Sequence, residues 1–258
     1  MSSILFSIKK NIAYITLNRP DKFNAFNRAM ALQLQHYLEE CERLPEVRCV
    51  YLTGNGKAFT AGQDLEEIID TNAPGMDVIL KEHYNPIVTK IRLLSKPVVA
   101  AVNGVAAGAG ANIALCCDVV VAKKSASFIQ AFSKIGLVPD SGGTYFLPRL
   151  IGWQKASALA MLGDKVSATE AENMGMLYKV FEDADFAMAS YQIASTLAQM
   201  PTKGLAFTKQ LLNISSTQTL EEQLKQEDIF QQKAAQTADH AEGIKAFLEK
   251  RNPIFKGE

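Results

Sequence analysis

The feature that most constrains the fold is a run from Pro97 to Cys117 without a charged side chain. Its length matches the ~20 apolar residues that a membrane-spanning helix needs. However, the run contains Asn103 and Asn112, and it is rich in alanine rather than leucine. Residues 97–102 have the pattern of a buried strand, which Asn103-Gly104 ends before an alanine-rich helix begins. We therefore predict a strand, a tight loop and a buried helix here, and no membrane span.

Strand and helix patterns alternate on both sides of this run. Apolar residues recur at alternate or successive positions in some segments and at helical spacing in others. The predicted strands are 4–8, 12–17, 47–53, 98–102 and 119–122, and the predicted helices are 27–45, 77–94 and 109–117. This alternation is typical of an α/β architecture with buried, largely parallel strands.

After Leu147 the helical spacing dominates and strand-like runs almost vanish. The predicted helices in this part are 153–162, 185–199, 204–212, 220–233 and 238–251. We expect an α/β core over residues 1–200 and a helical region over residues 201–258.

Composition excludes several classes of protein. Lys and Arg number 27 and Asp and Glu also number 27, so the chain lacks the positive charge that a nucleic-acid partner requires. The cysteines have no C-x-x-C spacing and the histidines have no metal-ligand spacing, so we predict no metal site. The first segment lacks the basic, apolar and small-residue regions that follow one another in a signal peptide. Together with the cysteine spacing, this favours a cytoplasmic protein with reduced thiols. The cysteines are Cys41, Cys49, Cys116 and Cys117.

Two loops of small residues could present main-chain N–H groups to a ligand. The glycine-rich segment 103–110 follows a strand and opens a helix, and the segment 59–65 follows another strand. A dinucleotide site is weakly supported, because the G-x-G-x-x-G pattern starting at Gly108 would need glycine where Ile113 stands. N–H groups at a helix start can also stabilise an oxyanion. Ordinary strand-to-helix turns are the third interpretation.

Motifs along essentially the whole chain resemble the crotonase (enoyl-CoA hydratase/isomerase) superfamily, and they occur in the order typical of it. They are Leu17-Asn18-Arg19-Pro20, Asn24-Ala25-Phe26, Ala61-Gly62-x-Asp64-Leu65, Ala100-Ala101-Val102-Asn103-Gly104, Gly108-Ala109-Gly110, Cys117-Asp118, Gly136-Leu137-Val138-Pro139 and Gly142-Gly143-Thr144. Residues 242–251 resemble the C-terminal helix of that family. The resemblance implies a spiral of ββα turns, a helical trimerisation region and an acyl-CoA substrate, with no other cofactor.

The resemblance also implies roles for particular residues. The N–H groups of Gln63 and Ala109 would form an oxyanion hole for the thioester carbonyl. Phe247 and Lys250, from a neighbouring subunit of a homotrimer or a dimer of trimers, would lie near the nucleotide end of coenzyme A. The remaining residues implied to bind coenzyme A are Lys22, Phe23, Ala25, Ala61, Asp64 and Leu65.

One departure from the family pattern decides between reactions. Hydratases of this superfamily use two glutamates, and Asn112 and Phe132 stand at those positions here. Neither side chain can accept a proton, so Asp140 is the remaining acid/base candidate. Apolar neighbours such as Phe132, Ile135 and Leu137 would raise the pKa of its carboxyl. The alternative is a structural Asp140 that caps a helix starting near residue 142.

Within the superfamily, residues 84–88, 101–111 and 131–140 resemble isomerases of phenylacetate degradation. Those enzymes convert an aromatic ring-1,2-epoxide thioester to an oxepin and shift enoyl double bonds. The resemblance implies Asp140 as the acid/base, with Asn85 and Phe132 near the acyl group. We predict an acyl-CoA isomerase. The alternatives are a hydratase with atypical acid/base residues, a nucleotide-dependent oxidoreductase and a non-catalytic acyl-CoA binder.

Overall fold

The computed structural model describes residues 2–69 and 74–258, and its strands form two sheets. In chain order the strands are β1 Ile4–Lys9, β2 Ile12–Leu17, β3 Cys49–Gly54, β4 Ala58–Thr60, β5 Val98–Val102, β6 Val105–Ala107, β7 Val119–Lys123, β8 Ser127–Ile129, β9 Lys165–Ser167 and β10 Lys179–Phe181. The larger sheet has the order β1-β2-β3-β5-β7-β10, and the smaller has the order β4-β6-β8-β9. β1 and β2, both predicted as strands, form an antiparallel hairpin, whereas the other strands of the larger sheet pair in parallel.

Helices connect the strands and form the C-terminal part of the chain. They are α1 Arg28–Arg43, α2 Leu65–Ile68, α3 Met76–Val78, α4 Asn85–Leu93, α5 Ala109–Leu115, α6 Gly143–Ile151, α7 Trp153–Leu162, α8 Ala168–Met174, α9 Phe186–Gln199, α10 Thr202–Ser215, α11 Leu220–Ala235 and α12 Ala238–Leu248. A π-helical segment, Ile79–Tyr84, joins α3 to α4, and a 3₁₀ turn, Ala131–Ile135, follows β8.

The two sheets arise from a repeated unit. The pairs β3/β4, β5/β6 and β7/β8 each place their first strand in the larger sheet and their second strand in the smaller one. A helical segment follows each pair, so the chain winds as a spiral of ββα turns. This confirms the predicted fold class. Two short strands that were not predicted, β9 and β10, lie beyond Leu147, where strand-like runs are rare.

The strands of the larger sheet are buried because both faces of the sheet are covered. All five residues of β5 are buried, as expected of a central parallel strand. The face that carries Ala100 packs in a large apolar cluster with α1 and α4, and the face that carries Val99 packs against α9. The charge-free run therefore forms β5, β6 and α5. No helix of residues 2–69 and 74–258 is long and apolar enough to cross a membrane.

A buried ion pair joins the C-terminal helices to the sheets. The Nζ atom of Lys209, on α10, lies 2.8 Å from a carboxylate oxygen of Asp118 and donates to the carbonyl of Ile91 at 2.7 Å. The side chain of Lys209 is only 6% exposed. Asp118 also pairs with Arg92 on α4 and accepts a hydrogen bond from the N–H of Val98 on β5. Asp118 thus connects α10 to α4 and to the larger sheet.

Loss of the Lys209 ammonium should destabilise the fold. Lys209→Met leaves the Asp118 carboxylate short of one buried partner, so we expect the free energy of unfolding to fall by about 3 kcal/mol. Lys225 is the matched control, because it forms an exposed pair with Glu221 on α11. Lys225→Met should cost less than about 0.5 kcal/mol. Urea unfolding of both variants measures the difference, and equal losses would contradict the anchoring role of Lys209.

Candidate active site

Two loops meet where β4 and β6 end. β4 and β6 pair in parallel, so the residues that follow them lie at the same edge of the smaller sheet. Gly62 has a positive φ of 90°, and a Cβ atom placed on it would lie 2.8 Å from the carbonyl oxygen of Ala107. The same Cβ would lie 3.5 Å from the nitrogen of Ala109. Gly62 therefore allows the loop before Gln63 to contact the start of α5.

Gln63 and Ala109 each bring an uncommitted N–H group to this contact. On either side of Gln63, the carbonyl of Gly62 and the N–H of Asp64 form hydrogen bonds with the main chain of Phe26, at 2.7 and 2.8 Å. Ala109 is the first residue of α5, where an N–H has no intrahelical partner. Within residues 2–69 and 74–258, neither N–H donates to another main-chain or side-chain acceptor of the protein. Both groups are available to an oxygen of a ligand.

Phe132 forms an apolar wall beside this pair. It belongs to the 3₁₀ turn after β8, and its side chain is buried. A Cβ atom placed on Gly108 would lie 3.8 Å from the tip of the Phe132 ring, so the ring is next to the residue that precedes Ala109. An aromatic ring here excludes water from the N–H pair, and it supplies no group that can carry a proton.

Asn112, on the same helix as Ala109, connects α5 to the loop of Asp140. Its side chain is fully buried and donates from Nδ2 to the main-chain carbonyl of Asp140 at 2.9 Å. Its Oδ1 atom accepts a hydrogen bond from the side chain of Gln130 at 2.8 Å. A Cβ atom on Gly143 would lie 2.3 Å from Nδ2 of Asn112, so a side chain at position 143 would displace the amide.

Asp140 itself lies in a sharp turn before α6. Ser141 has a φ of 51°, and the N–H of Gly143 donates to the carbonyl of Asp140 at 2.8 Å. Gly142 is the N-cap residue of α6, and no side chain caps that helix. The carboxylate of Asp140 accepts the hydroxyl of Ser141 at 2.9 Å instead. The interpretation of Asp140 as a helix cap is therefore wrong.

The surroundings of Asp140 make its carboxyl a base near neutral pH. Burial raises its pKa from the ordinary 3.8 to about 6, and the hydrogen bond from Ser141 opposes part of that rise. Of the apolar neighbours expected to raise this pKa, Phe132 is buried, whereas Ile135 and Leu137 are exposed. A carboxyl with this pKa is half ionised close to the pH at which most enzymes work, which suits a proton carrier.

Tyr84 is a site residue whose part in the site the sequence did not reveal. It ends the π-helical segment, and its hydroxyl donates to the side-chain carbonyl of Gln63 at 2.7 Å. Burial raises the pKa of Tyr84 well above its ordinary value, and the nearby charge of Asp140 adds to the rise. The family resemblance implied that Asn85, together with Phe132, lies near the acyl group, and Asn85 is exposed. A π-helical turn shifts which side chain faces inward, and apolar periodicity does not reveal it.

The residues expected to bind coenzyme A divide into an exposed and a buried set. Lys22, which forms an ion pair with Glu66 at 2.6 Å, is exposed beside Phe23. The loop of Phe23 is joined to the loop after β4 by a hydrogen bond from the N–H of Ala61 to the carbonyl of Phe23. Ala61 and Leu65 are exposed too. The buried set consists of Ala25 and Asp64.

Asp64 holds the loop together rather than facing outward. Its carboxylate forms an ion pair with Arg19 at 2.7 Å and caps α2 by accepting the N–H of Glu66. Phe247 and Lys250 lie at the end of α12, and Phe247 is 83% exposed. α12 packs on α11 and is tied to the end of the chain through the Asp239 carboxylate.

A cavity of about 470 Å³ lies beside the Asp140 loop. Pro139 and Gly143, on either side of the turn, contribute to its wall, and none of the described residues that line it carries a charge. Its lining consists of Ser133, Leu137, Val138, Pro139, Gly143, Thr144, Leu147, Pro148, Trp153, Ala156, Ser157, Ala160 and Met161. Of the other aromatic residues near the site in sequence, Tyr145 stacks on Arg149 and Phe146 packs against Gly142. The cavity suits an uncharged group.

A spiral of ββα turns that brings two free N–H groups together defines an enzyme of the crotonase fold. The sequence model of the family described as "Enoyl-CoA hydratase/isomerase" matches residues 7–258. The chain therefore belongs to the enoyl-CoA hydratase/isomerase family.

Named relatives include isomerases and hydratases. The chain is 46% identical to the 1,2-epoxyphenylacetyl-CoA isomerase of Escherichia coli, with 100% of both chains covered. It is 35% identical to the 2,3-dehydroadipyl-CoA hydratase of the same organism, again with 100% of both covered. The crystal structure of an enoyl-CoA hydratase from Bacillus anthracis matches with a TM-score of 0.92 at 32% identity, covering 99% of this chain and 100% of that one.

Replacement of Asp140 should stabilise the protein at neutral pH. The raised pKa means that the folded chain holds the Asp140 proton more tightly than the unfolded chain does. The stabilising effect of that proton is complete below about pH 4 and is lost as the pH rises through 6. Asp140→Asn, which stays neutral, should raise the free energy of unfolding at pH 8 by roughly 2 kcal/mol. Thermal unfolding at pH 8 and pH 4 measures this, and a gain that is equal at both pH values would contradict it.

Proposed function

We propose that this protein is an acyl-CoA isomerase in which Asp140 moves a proton between two carbons of an enolate. The N–H groups of Gln63 and Ala109 hold the enolate oxygen. The observation that carries the proposal is the partly buried Asp140 carboxyl, whose pKa of about 6 suits both uptake and return of a proton. Phe132 and Asn112 occupy the other positions at which the family can place an acid or a base.

The reaction needs no group beyond these. When the thioester oxygen accepts hydrogen bonds from both N–H groups, negative charge on that oxygen is stabilised and the α C–H bond becomes acidic. The Asp140 carboxylate takes the α proton, and the electron pair moves onto the thioester oxygen. The protonated carboxyl then returns the proton to the γ carbon, and the double bond moves from the β,γ to the α,β position. Atoms and charge balance without an oxidant, a reductant or water.

Hydration is the less supported reaction because Asn112 and Phe132, at the two positions where hydratases of the family carry glutamates, cannot activate water. The side chain of Asn112 uses its Nδ2 on the Asp140 carbonyl and its Oδ1 on Gln130, so both ends are committed within the protein. Phe132 offers only a ring. A single carboxyl can carry one proton from carbon to carbon, whereas addition of water requires a base for the water and an acid for the α carbon.

The cavity beside Asp140 favours an uncharged acyl group. A thioester that ends in a carboxylate, as an adipyl group does, would place a charge among lining residues that offer no cation to pair with it. A ring-1,2-epoxyphenylacetyl group is neutral and aromatic and fits this lining. Its conversion to an oxepin thioester is an isomerisation, so it needs no co-reactant. We propose this substrate together with neutral enoyl thioesters.

The exposed residues Lys22, Phe23, Ala61 and Leu65 form the proposed surface for coenzyme A. A lysine ammonium suits phosphate groups, and small residues allow the pantetheine chain to approach the main chain. Phe247 and Lys250 would complete the site from a neighbouring subunit of a trimer. The coenzyme arrives as part of the substrate, and the proposal includes no other cofactor.

Asp140→Asn tests the role of the carboxyl. Wild-type protein should convert a 3-enoyl-CoA to the 2-enoyl-CoA, followed by the absorbance of the conjugated thioester. Asp140→Asn should lower kcat by about 10³-fold because the proton carrier is lost. Its affinity for a saturated acyl-CoA, measured by calorimetry, should change by less than about three-fold.

Asp228→Asn is the control, since Asp228 is exposed on α11 and its carboxylate accepts a hydrogen bond from Gln232 at 3.0 Å. It should leave both values unchanged. An Asp140→Asn variant that keeps full isomerase activity would overturn the role of Asp140. Formation of a 3-hydroxyacyl-CoA by the wild type at a rate equal to isomerisation would favour a hydratase.

A bulky residue in the cavity tests where the acyl group binds. Ala160 lines the cavity, whereas Ala158 is exposed on the same helix outside it. Ala160→Phe should lower kcat/KM for an aryl-acyl or long-chain enoyl-CoA by about 10-fold, because one misplaced apolar contact costs about 1–3 kcal/mol. The kcat/KM for a four-carbon thioester should change little. Ala158→Phe should affect neither substrate. Equal losses for short and bulky substrates would contradict this position for the acyl group.

A further inference from the structure

Residues 140–143 form a tight turn in which serine is an unusual residue. Ser141 and Gly142 have φ angles of 51° and 76°, and the N–H of Gly143 donates to the carbonyl of Asp140 at 2.8 Å. Two successive left-handed residues closed by this hydrogen bond define a type I′ turn. Glycine, asparagine and aspartate dominate both central positions of such turns. Position 142 follows this preference, whereas position 141 does not.

The left-handed backbone at Ser141 is strained in a way that glycine would avoid. A β carbon in this region comes too close to the following carbonyl oxygen, so residues other than glycine, asparagine and aspartate are uncommon there. Residues held in such sparsely populated conformations cluster at functional sites. We therefore expect the side chain of Ser141 to have a task that glycine cannot perform.

The hydroxyl of Ser141 contacts the carboxylate of Asp140. Ser141 is only 2% exposed, and its Oγ atom donates to Oδ1 of Asp140 at 2.9 Å. Within residues 2–69 and 74–258, the hydroxyl makes no other hydrogen bond, and no other side chain donates to that carboxylate. The burial of Ser141 keeps water from competing for this contact, which strengthens it.

The charged groups around the turn leave the Asp140 carboxylate to this contact. Helix α5, which is hydrogen-bonded to the turn, has no titratable side chain. Tyr84 faces Asp140 from the π-helical segment, and burial keeps its hydroxyl protonated. Arg92 on α4 is paired with another carboxylate, and Lys134 and Arg149 are exposed. Among the described residues, no charged side chain moves the pKa of Asp140.

We infer that Ser141 is a positioning residue whose hydroxyl holds Oδ1 of Asp140 and favours the ionised carboxylate that takes the α proton. The inference rests on the proposed function, because it concerns the carboxyl assigned there to proton transfer. A hydrogen bond to the ionised form stabilises that form and so opposes the effect of burial. The N–H of Asp140 itself acts in the same direction, so the carboxylate keeps one donor when Ser141 is replaced.

Two substitutions remove the hydroxyl and differ in backbone strain. Ser141→Ala keeps a β carbon at the left-handed position, whereas Ser141→Gly removes it. Both should move the acidic limb of the kcat profile for double-bond migration upward by about one pH unit, because the ionised carboxyl loses a donor. At pH 6, the region of the wild-type pKa, kcat should therefore fall about five-fold. At pH 9, where the carboxyl is ionised in every variant, kcat should change by less than about three-fold.

Ser190→Ala is the matched control for loss of a buried hydroxyl. Ser190 on α9 is fully buried, and its hydroxyl lies 2.8 Å from that of Tyr51, in the apolar cluster on the α9 face of the larger sheet. This substitution should leave the acidic limb in place. A limb that moves in Ser141→Ala and not in Ser141→Gly would assign the effect to backbone strain and overturn the inference.

Direct titration of Asp140 distinguishes failure of this inference from failure of the proposed function. The NMR resonance of its carboxyl carbon is assigned by its absence from Asp140→Asn and is followed against pH. Upward shifts of this titration and of the acidic limb, equal in both Ser141 variants, would support the inference. A titration that moves in neither variant would overturn the inference and leave the proposed function intact. A titration that moves without the acidic limb would contradict the proposed role of Asp140, and the inference with it.

Discussion

The parallel pairing of β4 with β6 is the interaction on which the site depends. It brings the loop after β4 against the start of α5, so two N–H groups from distant parts of the chain meet at one edge of a sheet. Within residues 2–69 and 74–258, each N–H is without a protein partner for an ordinary reason: one belongs to a residue between two bridging hydrogen bonds, and the other begins a helix. The fold thus supplies the two main-chain donors that the proposed function assigns to an oxyanion.

Helix α5 connects this site to the carboxyl that acts beside it. Its first residue supplies one N–H, and Asn112, in its first turn, holds the carbonyl of Asp140. Phe132 stands where hydratases of the family carry a glutamate, and its side chain forms an apolar wall. Asp140 is therefore the one proton carrier of the proposed reaction. Burial of its carboxyl raises the pKa to about 6.

Long helices and strands were predicted from the sequence more accurately than short strands and tertiary contacts. β5 and α7 begin and end where they were predicted, because β5 is a continuous apolar run between Pro97 and Asn103 and α7 is long enough to show the helical period. The smaller sheet was missed because its strands have three residues each, too few to show an alternation. Asp140, Gln63 and Ala109 were named as site residues from motifs. The contacts of Asn112 and Tyr84 depend on tertiary packing and on a π-helical turn, which spacing does not encode.

The most direct test of the central claim follows the proton itself. A 3-enoyl-CoA deuterated at the α carbon is converted to product in ordinary water, and the label at the γ carbon is measured by mass spectrometry. If one partly buried carboxyl carries the proton between the carbons, part of the deuterium should appear at the γ carbon, because transfer competes with exchange into solvent. Product that forms at the full rate without any deuterium at that carbon would contradict the single-carboxyl mechanism.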